Sequence, residues 1–229
     1  MNNFKSRVRR KNYRFEKIGM KLLLALSVLL LVVRPALAQQ VLYQQDFEKI
    51  EIGKLPEDFL VLDGDFSVKQ EGTNKFLELP GAPLETYAVQ FGPAREDGVS
   101  IQARIRSSSK GRRFPVFGVG LNGVAGYKLR VAPAKNQLGL CKDQEVKATA
   151  DWQWKSGTWA FLKLQVPKNK EGGWLISGKA WSESDKEPDK WLVTWLEKDK
   201  PPAARPSVLA SPFAGTPIQF DDIVVSVAN

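Results

Sequence analysis

Three acids stand at alternate positions in Glu183-Ser184-Asp185-Lys186-Glu187. On an extended strand that spacing aims all three to one side, and paired carboxylates flanking a sugar bond are the machinery of glycoside hydrolysis. The intervening residues argue for another setting. Ser184 and Lys186 cannot form an inward-facing row, and Pro188-Asp189 marks a solvated loop. The chain contains no His, which removes the commonest general base, the Ser-His-Asp and Cys-His arrangements and nearly all zinc chemistry. Cys141 is the single cysteine, so no intramolecular disulfide forms. In Leu138-Gly139-Leu140-Cys141 it reads as a small buried hydrophobe rather than a reactive thiol. No residue is assigned a catalytic role.

Binding chemistry is better represented. All seven Trp lie beyond residue 38, and an exposed indole face stacks on the C–H face of a sugar. Trp152 and Trp154 are two apart and share a face of an extended chain beside the turn at Lys155-Ser156-Gly157. They are the first candidates for a ligand platform. Trp191 and Trp195 come next, and Trp159, Trp174 and Trp181 sit in strand patterns that suit core packing. In the loop Ser107-Ser108-Ser109-Lys110-Gly111-Arg112-Arg113, Arg112 and Arg113 offer planar forks to the carboxylate or sulfate of an anionic glycan. The plainer reading of that loop is a solvated turn.

The elements that would position these groups are strands. Ser100–Arg106, Tyr127–Val131 and Phe161–Val166 alternate polar and apolar residues, a period of two that sets one face on a core and the other in water. Further strands are expected at 41–47, 59–62, 66–70, 76–79, 87–91, 115–121, 138–142, 174–181, 191–196, 207–210 and 218–227. Turn chemistry punctuates them at Asp63-Gly64, Thr73-Asn74, Asn122-Gly123 and Gly172-Gly173. No window beyond residue 38 has helical periodicity. Such a chain folds as a β-sandwich or barrel. Residues 39–229 form one domain, with 198–206 and its Pro201-Pro202 pair as a long surface loop.

The N-terminal segment has another purpose. Seven basic residues precede the apolar run Lys21–Val33, and Pro35 introduces Ala36-Leu37-Ala38, an A-x-A cleavage signature. The run is short for a membrane span. Residues 1–38 are therefore expected to be a cleavable signal peptide, with an uncleaved anchor as the alternative; Met20 begins a complete short signal by itself. The net charge of +9 belongs mostly to this segment, which holds nine basic residues and one acid. Residues 39–229 keep 25 basic and 24 acidic side chains, a net of +1. A nucleic-acid binder shows a basic domain or stripe, so nucleic acid is set aside as a partner.

Read from end to end, the domain resembles the concanavalin A-like lectin/glucanase superfamily, of the type found in bacterial exported proteins. The likeness is carried by Asp46-Phe47-Glu48, the stretch Gly64–Val68, then Gly123 with Tyr127 and Leu129. It continues through Gly157-Thr158-Trp159, Gly178–Trp181, Glu187-Pro188 with Trp191, and Phe220–Val225. It implies an all-β jelly-roll sandwich of two antiparallel sheets. Glycanases of that superfamily carry acids in the Glu-x-Asp-x-Glu spacing of 183–187, but on a core strand. The resemblance also implies that the first and last strands are neighbours. Asp46, Glu48, Asp221 and Asp222 would then meet at a seam that suits a structural calcium ion; the plainer reading caps strand ends and pairs these acids with Lys or Arg.

The expected function is that of an exported, non-catalytic, lectin-like protein binding a polysaccharide or cell-envelope glycan in a periplasm or outside the cell, with no membrane span after signal cleavage. An envelope structural or protein-interaction module is the alternative, and a glycoside hydrolase with an atypical site comes third. N-terminal sequencing of the mature protein should return Gln39 as its first residue; a mature chain that still begins at Met1 or Met20 would show the apolar run retained as an anchor.

Overall fold

The computed structural model describes residues 39–228, which belong to one compact unit. The strands, in chain order, are β1 (Val41–Gln45), β2 (Leu60–Asp63), β3 (Ser67–Glu71), β4 (Asn74–Leu79), β5 (Tyr87–Gln90), β6 (Val99–Ser107), β7 (Val116–Leu121) and β8 (Tyr127–Ala132). After a three-residue 3-10 turn at Pro133–Lys135 come β9 (Gln137–Lys142), β10 (Glu145–Asp151), β11 (Ala160–Val166), β12 (Trp174–Ser182), β13 (Val193–Glu197), β14 (Ser207–Ser211) and β15 (Ile218–Val227). No described helix is long and apolar enough to cross a membrane.

These strands form two antiparallel sheets. The first runs β13-β12-β11-β6-β15-β4-β3, with β1 also on β15; the second runs β10-β9-β8-β7-β14-β5-β2. The alternation left sandwich and barrel open; the two antiparallel sheets that the resemblance implied are what is found. β15 serves three partners because it is bulged. Its pairing with β6 slips between Asp221 and Val224, and Asp222 takes a positive φ of 46°, the local kink that an extra residue imposes. Before the bulge β15 pairs with β4; after it the same edge takes β1.

The alternating residues meet between the sheets. Ile101, Ala103 and Ile105 of β6, Leu162 and Leu164 of β11, and Phe220, Ile223 and Val225 of β15 face Phe117, Val119, Leu129, Val131, Val208 and Ala210 of the other sheet, all fully buried in one cluster. Gly178 of β12 has no side chain because a Cβ there would run into Leu129 of the facing sheet. One strand was not expected. β10, Glu145-Val146-Lys147-Ala148-Thr149-Ala150-Asp151, is rich in residues that strands disfavour, and it is held by its ladder with β9.

A buried ionic contact links the sheets at one edge. Glu197 on β13 of the first sheet is 3% exposed. Its Oε2 accepts from Tyr127 OH on β8 at 3.1 Å and pairs with Lys142 Nζ of β9 at 2.5 Å. Its Oε1 accepts the Lys198 and Asp199 backbone N–H groups at 2.8 and 3.0 Å. Burial pushes the carboxyl pKa up, but Lys142, the Asp199 amide and Tyr127 together outweigh it and hold it below the usual carboxylate range. A pKa lower in the folded than in the unfolded state stabilises the fold above the unfolded-state value and is lost as pH falls through the folded-state value. In denaturant unfolding, Glu197→Gln should cost about 3 kcal/mol at pH 7, and the gap to the parent should narrow as the pH drops below about 4.

Candidate functional site

The outer face of the second sheet is assembled by register. Ala88 of β5 lies beside Leu209 of β14, Gly118 of β7, Arg130 of β8 and Gly139 of β9. The neighbouring row is Gln90, Ser207, Gly120, Lys128 and Cys141. The residues between these positions, such as Val89, Val208, Val119 and Leu129, are fully buried in the core, so both rows face away from it. Glycine at the middle strand of each row leaves the sheet without side chains there. A Cβ on Gly120 would lie 2.5 Å from Ser207 Oγ, so the Ser207 hydroxyl reaches over the glycine.

A cleft of about 250 Å³ lies on this face. Ala88, Gln90, Ser207 and Leu209 line it together with Lys128 and Arg130. Gly123, Val124 and Gln144 bound it on one side, and Leu62, Asp63 and Thr86 on the other. Asn122, at the start of the Gly123–Val124 rim, is 2% exposed. Its side-chain amide nitrogen donates to the carbonyls of Arg95, Glu96 and Pro202 at 3.0, 2.7 and 2.8 Å, which pins the rim to two other loops.

Lys128 Nζ donates to the Asp143 carbonyl at 3.1 Å. Burial pushes its ammonium pKa down, and Arg130 adds to the fall against the pull of Asp143. Arg130 Nη2 reaches Cys141 Sγ at 2.9 Å. Cys141 is buried on the outward row, sheltered beneath the cleft cations rather than in the inter-sheet core. The lining combines hydrogen-bonding side chains with the apolar Leu62, Val124 and Leu209, the mixture that seats a polar ligand with apolar edges. Asp63 is the one carboxylate among the lining residues.

None of the side chains expected to bind a ligand lines this cleft. Trp154 is 7% exposed and packs edge-on against Phe117 at 5.7 Å. Trp152 is partly buried against the same core. The two do share a side of the chain, but that side faces inward. Trp195 packs on Tyr127 at 6.2 Å, with Lys142 and Lys147 over its ring. Trp191 is half-buried, its ring 4.7 Å from Lys179 Nζ. Arg112 and Arg113 are exposed in a tight turn closed by reciprocal backbone bonds between Lys110 and Arg113.

The acids named for calcium are also otherwise engaged. β1 and β15 are neighbours, as expected, but Asp46 and Glu48 lie in the turn beyond the end of β1. Asp221, buried, pairs with Arg104 Nη2 at 2.5 Å and accepts from Asn74 Nδ2 at 2.9 Å, while Asp222 lies 3.1 Å from Arg104 Nε. Asp46 accepts the Glu48 N–H at 3.2 Å, and Glu48 accepts the Lys75 N–H at 3.0 Å. Among the described residues no group of three or more His, Cys, Asp or Glu is gathered as a metal site. The alternating acids of 183–187 are on a turn, as their neighbours implied. Glu183 pairs with Arg104 at 2.7 Å. Glu187 lies between Lys163 and Lys179 at 2.9 and 2.8 Å. Burial raises its pKa, but the two lysines more than offset that and hold it below the usual range. A carboxylate so held keeps no proton to give a leaving group at neutral pH.

No family model and no curated protein matches the chain. Solved structures do. The carbohydrate-binding module CBM66 from Bacillus subtilis aligns with a TM-score of 0.54 at 10% identity, covering 74% of this chain and 95% of that one. The Emp46p carbohydrate recognition domain, metal-free form, aligns at 0.57 and 10% identity over 84% of this chain and all of that one. A GH43 protein from Bacillus licheniformis, the BlXynB mutant, aligns at 0.54 and 13% identity over 80% of this chain and 39% of that one. At these identities the likeness establishes the fold alone, a sandwich of two antiparallel sheets.

Since Arg104 already supplies the counter-charge at the β1–β15 seam, chelator and added calcium should leave the melting temperature unchanged. Arg104→Ala should lower stability by about 3 kcal/mol in denaturant unfolding, because it strands the buried Asp221 carboxylate. A melt that rises with calcium would return those acids to a metal.

Proposed function

We propose that the chain is an exported, non-catalytic carbohydrate-binding sandwich, and that a polysaccharide or cell-envelope glycan lies in the cleft over β14, β7 and β8. The observation that carries the reading is the cleft itself: a pinned rim and hydrogen-bonding groups at Gln90, Ser207 and Lys128 beside apolar Leu209, with the bare Gly118 and Gly120 of β7 in register between its β14 and β8 walls. The fold is shared with carbohydrate-binding and carbohydrate-recognition domains, which supports binding as the role; fold likeness alone does not assign it. Hydrolysis by the paired-carboxylate route needs two acids about 5–9.5 Å apart, and the cleft lining supplies Asp63 alone. Export is read from residues 1–38, which lie outside the described residues.

A second reading, an envelope protein-interaction module, draws on β2. This edge strand exposes Leu60 at 51% and Leu62 at 43%, and an open edge with apolar residues is a template for another chain. One experiment separates the two. Against a panel of soluble and insoluble glycans, the parent protein should bind at least one member. Ala88→Trp, which fills the cleft, should abolish that binding, and Trp191→Ala should keep it. Binding that survives Ala88→Trp and fails in Trp191→Ala would move the site to the other sheet, and silence across the panel would favour the protein-interaction reading.

A further inference from the structure

The second sheet carries two cations whose charge the fold leaves largely unanswered. Elsewhere, partly buried cations have carboxylates in hand: Arg104 holds Asp221, Asp222 and Glu183, Lys142 holds Glu197, and Lys163 and Lys179 share Glu187. Lys128 and Arg130 differ. They alternate on β8 and so point the same way, into the cleft. Arg130 makes no ion pair among the described residues, and its one side-chain hydrogen bond there is to Cys141 Sγ at 2.9 Å. A guanidinium has five N–H donors in a planar fork, so most of the fork stays open. Lys128 is 13% exposed at its side chain and sees only the Asp143 carboxylate, 3.8 Å away and itself 60% exposed. A pair of that kind contributes little.

The one acid in the rows around them is Asp63, the β2 partner of Ala88, four strands from Arg130. Across Gln90, Ser207, Gly120 and Cys141, and across Ala88, Leu209, Gly118 and Gly139, there is no other. A partly desolvated ammonium with a weak counter-ion has more to gain from an incoming anion than a hydrated one. The direction of the Lys128 shift, downward through burial, agrees with that desolvation.

We propose that the cleft is a receptor for an acidic polysaccharide, with the carboxylate of one uronic acid unit held by Lys128 and Arg130. The inference rests on the carbohydrate-binding reading and adds the ligand's chemical class. A uronate suits the rest of the lining. Its ring hydroxyls meet Gln90 and Ser207, its C–H face meets Leu209, and its planar carboxylate matches the guanidinium fork. At about 250 Å³ the cleft falls below the ~300–1,000 Å³ of sites that enclose a drug-sized ligand, so it seats a single unit of a longer chain.

Calorimetric titration of the purified protein tests this with polygalacturonate, its fully methyl-esterified form, alginate, neutral dextran and dextran sulfate. Polygalacturonate or alginate should bind, and polygalacturonate should exceed its methyl ester by at least about tenfold. Binding should weaken as salt rises to about 0.5 M. Lys128→Gln/Arg130→Gln should lose about a hundredfold, whereas Lys128→Arg/Arg130→Lys should keep most of the affinity. If the Gln variant fails to fold, the acid–ester comparison reads the same contact on the parent protein. Equal affinity for acid and ester, or tighter binding of dextran sulfate than of either uronate, overturns the carboxylate assignment. Dextran bound as tightly as the uronates and lost in Ala88→Trp also overturns it and leaves the carbohydrate-binding reading standing. Failure of all five overturns the uronate assignment, and the wider panel of soluble and insoluble glycans then decides the carbohydrate-binding reading.

Discussion

Everything in this molecule depends on the burial of two apolar sheet faces against each other. At about 25 cal/mol per Å² of apolar surface removed from water, that seam is the main source of stability in a chain with no disulfide. Because strand residues alternate, filling the seam leaves every second residue outside. The core therefore dictates which residues the outer faces present. Leu129 inward puts Lys128 and Arg130 outward together, and Val119 inward puts Gly118 and Gly120 outward beside them. Glu197, Tyr127 and Lys142 bind the two layers at one edge, and Asn122 fixes a rim loop above the other side of β7.

The two outer faces carry charge in different ways. On the first sheet the cations are locked to acids and stacked on aromatic rings: Arg104 and Arg106 both lie over Trp159, at 4.5 and 4.8 Å, and Trp181 stacks on Phe161 at 5.3 Å. That face answers its own electrostatics. On the second sheet glycines replace the aromatics, and β8 cations face a cleft. A difference between two sides of one sandwich, with near-neutral charge overall, is a local asymmetry that net composition conceals.

Much of the fold was legible in the chain, because a period of two survives in nearly every strand. Ile101–Arg106 and Phe161–Val166 could be read directly, while β10 could not, since its alanines and charged residues carry no strand signal and its place comes from β9. The site was far less legible. Alternation tells which residues share a face but not which face is wet: Trp152 and Trp154 do fall on one side, and that side packs on Phe117. The adjacency of the first and last strands was open to inference, yet the claim of Arg104 on Asp221 and Asp222 depends on the register of β6 with β15. The cleft draws on residues 88, 128 and 207, which come together only through the three pairings β5–β14, β14–β7 and β7–β8. The one local hint was the Gly-x-Gly of Gly118-Val119-Gly120 within a strand, a pattern that marks a bare stretch of sheet.

The bulged strand β15 has a bearing on when the fold can form. It lies inside the first sheet, joined to β6 along its length and to β4 and β1 in turn. Its partners were all laid down more than a hundred residues earlier in the chain. Until Ile218–Val227 emerge, β6 has β11 alone beside it, β4 has β3 alone, β1 has no partner, and Phe220, Ile223 and Val225 are missing from the core. Contacts of such long sequence separation make folding slow and late. The first sheet of a polypeptide of this topology therefore closes only when its last ten strand residues arrive, so that the earliest and the latest parts of the chain are committed in one step.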